Sequence, residues 1–103
     1  MAKYQFVRVW LTMGRIYSTD PQLSDWILGE IRKIMPSCTT RHEEYDLHGD
    51  LIGFGLHKLE GKDGQVLHQV LRMLLNIGFE PFSTSSEVVH ERPMFVDLRR
   101  KVE

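Results

Sequence analysis

The densest run of chemically capable side chains is His42-Glu43-Glu44-Tyr45-Asp46-Leu47-His48-Gly49-Asp50, which mixes imidazoles with carboxylates. Both groups ligate zinc, but a zinc site needs three or four of them converging on one point. On a strand His42 and Glu44 share a face and Glu43 does not. No second ligand pair stands at the spacing of known zinc sites, so no metal and no other cofactor is expected. A solvated edge strand guarded by charges accounts for the same letters. Cys38 with a histidine would make a nucleophile and base. It follows a helix end, however, whereas a helix N-terminus is what lowers a thiol pKa. Ser83, Thr84, Ser85 and Ser86 have neither a Gly-x-Ser-x-Gly setting nor a glycine-rich loop, and they read as turn residues. No catalytic residue is assigned.

Aromatic residues and arginines carry a stronger signal. Tyr4 to Met13 alternates as Gln5, Val7, Val9, Leu11, Met13 against Tyr4, Phe6, Arg8, Trp10, Thr12. If helices cover Val7, Val9 and Leu11, then Phe6, Arg8 and Trp10 face the other way. The same alternation sends Phe54 and Leu56 to that face from a third strand, and Phe95, Asp97 and Arg99 from the last. A sheet face this rich in aromatics marks contact. The expected interaction surface is therefore Phe6, Arg8, Trp10, Phe54, Leu56, Phe95 and Arg99.

The strands and helices that carry these residues are legible in local patterns. Asp20-Pro21 caps and opens a helix, with Leu23, Ile27, Ile31 and Ile34 on one stripe, Trp26 beside it and Pro36 beyond its end. Arg41 to Leu47 suits a polar edge strand, His48-Gly49-Asp50 a hairpin turn, and Leu51 to Leu59 a further strand. Gly53 and Gly55 share one face of that strand, where a helix could approach closely. Glu60 to Gly64 turns the chain, Asp63 caps, and Val66, Leu67, Val70, Leu71, Leu74 and Leu75 form a second helical stripe closed by Gly78. Phe79 to Thr84 reads as an edge piece because of Pro81, Ser85 to Arg92 as a polar connection, and Met94 to Arg100 as the last strand. Gly14 to Thr19 reads as the exit from the first strand.

That order predicts one α+β domain over residues 1–103, of the ferredoxin-like βαββαβ split type: an antiparallel sheet with two helices on one face. A chain of 103 residues is long enough for one core without staples, and its lone cysteine forms no internal disulfide. Arg8 interrupts any secretory apolar run, and no stretch approaches the roughly 18 apolar residues of a membrane span. A cytoplasmic protein with no membrane partner is expected.

Gly53-Phe54-Gly55-Leu56-His57-Lys58-Leu59 resembles the third-strand signature of RNA recognition motifs, which places stacking aromatics on the sheet. The resemblance implies single-stranded RNA as partner, with Phe54 stacking on a base and Phe6 or Trp10 opposite. Ile52 stands where that family has Lys or Arg, Leu56 where it has a second aromatic, and Leu59 replaces a third. A net charge of −1 supplies no general attraction to phosphate. Over the last third of the chain, the helix, Gly78-Phe79 and two strands ending in basic residues resemble the end of the small GTP cyclohydrolase feedback regulatory proteins.

The leading expectation is a non-enzymatic interaction or regulatory domain whose open sheet face binds a second copy or another protein. RNA binding is the alternative, and a small-molecule binder or enzyme of unknown reaction is the third reading.

Overall fold

In the computed structural model, which describes residues 3–11, 14–57, 63–85, 88–89 and 92–102, the N-terminal segment folds back on itself. Strands β1 (Lys3–Trp10) and β2 (Arg15–Ser18) form an antiparallel hairpin, with Val9 opposite Ile16 and Trp10 opposite Arg15. Gly14 allows the reversal, because its φ of +62° lies in the left-handed region that side chains disfavour. The expected exit is thus a strand, and Ile16 is fully buried on it. Thr12, Met13, Leu59 and the Glu60-Gly61-Lys62 turn lie outside the described residues.

Helix α1 (Pro21–Ile34) begins as its residues dictate. The Asp20 carboxylate accepts from the backbone N–H of Gln22 at 3.0 Å, and Pro21 occupies the first turn. Leu23, Ile27 and Ile31 are buried, while Arg32 and Lys33 stand at the carbonyl end, where the helix dipole favours cations. Strands β3 (Thr39–Tyr45) and β4 (Leu51–His57) follow as a hairpin, with β4 joined to β2. Helix α2 (Asp63–Asn76) buries Val66, Leu67, Val70 and Leu74. Leu71 is only partly buried and Leu75 is exposed, so the centre of the stripe lies on the other side of Leu71.

Strand β5 (Glu80–Thr84) is the expected edge piece. β6 (Val88–Val89) and β7 (Arg92–Pro93) pair as a separate short hairpin in place of a plain polar connection. The last strand, β8 (Phe95–Val102), pairs with both β1 and β5.

The main sheet is six-stranded and antiparallel, in the order β3-β4-β2-β1-β8-β5. The α+β class therefore stands, as do the two edges, but the sheet has six strands where the βαββαβ split has four. The largest departure is β2, which separates β1 from β4. One apolar cluster joins Val7, Val9, Ile16, Phe54, Leu56 and Leu98 of the sheet to Ile27, Ile31, Leu67, Val70 and Leu74 of the helices, so both helices cover the same face. Among the described residues no helix is long and apolar enough to cross a membrane.

Candidate functional site: the open sheet face

Alternation along β1 and β8 puts Tyr4, Phe6, Arg8 and Trp10 beside Lys101, Arg99, Asp97 and Phe95 on the face away from the helices. At its centre Arg8 donates to both carboxylate oxygens of Asp97, Nε at 2.6 Å and Nη2 at 2.9 Å. The same guanidinium lies 4.0 Å from the centre of the Phe95 ring and 5.6 Å from that of Trp10, and those two rings pack 4.8 Å apart. Arg8 is thus held on two sides by its carboxylate and by π faces, which attract a cation. Hydrogen bonding to Asp97 raises the Arg8 pKa above its ordinary value, against the opposing effect of burial.

Toward the other end of the strands Phe6 meets Phe82 edge-on at 5.8 Å and Tyr4 at 6.2 Å. Arg99 spans Tyr4 and Phe82 at 5.3 and 5.2 Å and pairs with Glu80. Tyr4, Phe6 and Phe82 keep 40%, 39% and 44% of their surface exposed, an apolar patch that the described residues do not cover.

On the far side of β1 the face drops into a hollow of about 470 Å³ lined by Arg8, Trp10, Arg15, Tyr17 and Glu44. Its shape comes from β4, whose residues on this face are Gly53 and Gly55. The Tyr17 ring lies so close over Gly53 that an added Cβ would stand 2.7 Å from its Cδ2. With no side chain at Gly55, its cross-strand partner Arg15 reaches across β4 to the edge strand. There it donates to the His42 carbonyl at 3.1 Å and pairs with Glu44. It grips β3 at a bulge, where pairing slips between Arg41 and Glu44 and His42 takes a φ of +53°.

Of the expected surface, Phe6, Arg8, Trp10, Phe95 and Arg99 come together. Phe54 and Leu56 do not: they are 0% and 3% exposed, on the helix side. Phe54 stands opposite Ile16, which stands opposite Val9, so all three share the covered row. Burying a phenyl and an isobutyl group removes apolar area from water that two glycines do not have, and this sets the phase of β4. Gly53 and Gly55 accordingly make room for Tyr17 and Arg41, and not for a helix. Sequence reasoning missed Arg15, Tyr17, Glu44 and Phe82. Gly14 followed by the alternating Arg15-Ile16-Tyr17-Ser18 is the hairpin signal that finds the first of these.

Three ion pairs lie on this face, Arg8 with Asp97, Arg15 with Glu44 and Arg99 with Glu80, whereas the exposed Arg41, which lies against Gly55, and Lys101 pair with no carboxylate among the described residues. Among the described residues no three or more His, Cys, Asp or Glu side chains lie together as a metal site would require. In the acidic run, Thr40 donates to Glu43, and Asp46 accepts from the backbone N–H groups of His48 and Asp50 at 2.8 and 3.0 Å. These hydrogen bonds hold both carboxyls below their ordinary pKa. Cys38 is a buried free thiol. No family model, curated protein or solved structure matches this chain.

Proposed function

We propose that this chain is a non-enzymatic, cytoplasmic interaction domain that docks a protein, its own second copy included, through the open sheet face. The observation that carries the reading is an uncovered aromatic patch beside arginines already neutralised by carboxylates of the same face. Interface centres are rich in Tyr, Trp, Phe and Arg, and ion pairs formed in advance reduce the number of unpaired charges that docking must desolvate. RNA would call for the reverse, arginines free to meet phosphates. Phe54, the residue on which that alternative turned, faces the helices.

The test is the native mass of the protein purified from its own cells, wild type beside Phe6→Glu. An assembly heavier than the 12.1 kDa chain that disappears in the folded variant is expected. A variant that cannot fold would place Phe6 in the interior and end this reading.

A further inference from the structure

We infer that the partner on this face is a second copy of the chain, related by a two-fold axis that lies parallel to the strands between β1 and β8. The inference rests on the reading of the face as a docking surface. It follows from the register of these strands, in which Phe6 stands opposite Arg99, Arg8 opposite Asp97 and Trp10 opposite Phe95. A two-fold axis running between the strands exchanges the members of each pair across the interface. Arg8 then faces the partner's Asp97, Trp10 the partner's Phe95, and Phe6 the partner's Arg99. Every row becomes complementary: cation to anion, ring to ring, ring to cation.

An axis perpendicular to the strands would instead set Arg8 over its own counterpart, so the pairing pattern selects the orientation. The two sheets then pack with strands aligned to within about 30°, as twisted sheets do. One strand further out, the same rotation brings the partner's exposed Phe82 from β5 over Tyr17 of β2, beside a hollow that this chain lines with Phe6, Arg8, Tyr17, Thr19 and its own Phe82.

The size is adequate for a reversible dimer. The overlap covers β2, β1, β8 and β5, four strands about 4.8 Å apart and up to eight residues long at about 3.3 Å each. With eight residues each in β1 and β8, five in β5 and four in β2, the flat footprint is about 400 Å² per copy, or roughly 800 Å² in total before corrugation. That is the size of a weak, reversible association.

Complementation provides the test. Arg8→Glu makes the central row wholly acidic and Asp97→Arg makes it wholly basic, so each variant opposes its own copy. Sedimentation velocity should show wild type dimerising and each variant alone weakened by at least about tenfold. An equimolar mixture of the two should recover to within about threefold of wild type. A mixture no better than its components overturns the inference. If loss of the Arg8–Asp97 pair disturbs folding, Trp10 reports instead: in a Trp26→Phe background it is the only tryptophan, and its emission should shift to the blue as concentration rises. No shift up to about 200 µM overturns the inference equally. If wild type stays monomeric while Phe6→Glu remains folded, the second copy is wrong and the docking face stands. If Phe6→Glu unfolds, the docking reading fails as well.

Discussion

Truncating Phe54 to alanine tests the phase of β4 on which the whole open face depends. Phe54 is fully buried opposite Ile16, in the row it shares with Val9 under the helices. Removing its phenyl ring returns the loss of about 150 Å² of apolar burial, worth about 3–4 kcal/mol at 25 cal/mol per Å². A cavity remains, because the strand backbone around it is fixed by cross-strand hydrogen bonds on both sides, which puts the total at about 3–5 kcal/mol. Against the 5–15 kcal/mol that holds a typical domain together, this is a large fraction, and it should lower Tm by roughly 15–25 °C. Urea denaturation followed by circular dichroism and by tryptophan emission gives the number, with agreement of the two probes confirming two-state behaviour. Phe6→Ala is the control: its ring keeps 39% exposure, and the change should cost less than about 2 kcal/mol. A loss below about 1 kcal/mol for Phe54→Ala, with an unchanged m-value, would mean that β4 is shifted by one residue and Phe54 is on the open face.

Gly53→Ala distinguishes crowding from flexibility by sign. An alanine in a strand ordinarily stabilises by up to about 1 kcal/mol over glycine, but here the added Cβ meets Tyr17 at 2.7 Å, so a cost of about 1–3 kcal/mol is expected. A neutral or stabilising result would remove Tyr17 from above β4. At the β3–β4 turn, Asp46 has its pKa depressed by the Asp50 and His48 amides. Whatever it contributes to the turn is therefore complete above its unfolded pKa and is lost as pH falls through the lower folded value. The amide signals of His48 and Asp50 should titrate together below the ordinary carboxylate range, and a transition at or above that range would contradict the hydrogen bonds. Single-stranded RNA pools should show no measurable binding at physiological salt. A micromolar affinity that weakens steeply with salt and drops about tenfold or more in Trp10→Ala would favour stacking on this face over protein docking.

The existence and one-sided character of the elements follow from local patterns in the chain. The Asp20-Pro21 start, the Leu23-Ile27-Ile31 stripe, the Val66-to-Leu74 stripe and the alternation of β1 and β8 are local patterns, and each holds in the fold. Period-two alternation states that a strand has two faces, and for β1 and β8 the contrast of Val7, Val9 and Leu98 with Arg8, Asp97 and Arg99 also says which is buried. In β4 it does not: Gly-Phe-Gly-Leu puts apolar groups on one face and nothing on the other, a pattern that suits either a covered row or an aromatic platform. The choice came from pairing, because β4 is bonded to β2, and Ile16 had already taken its place in the core row beside Val9. The partners of the arginines were likewise beyond local reading. Arg8 and Asp97 are 89 residues apart, and Arg15 and Glu44 are 29 apart across a strand. The first contact exists only once β1 and β8 pair, and the second only once β2 is inserted between β1 and β4 and the glycines of β4 leave a path for a side chain to cross.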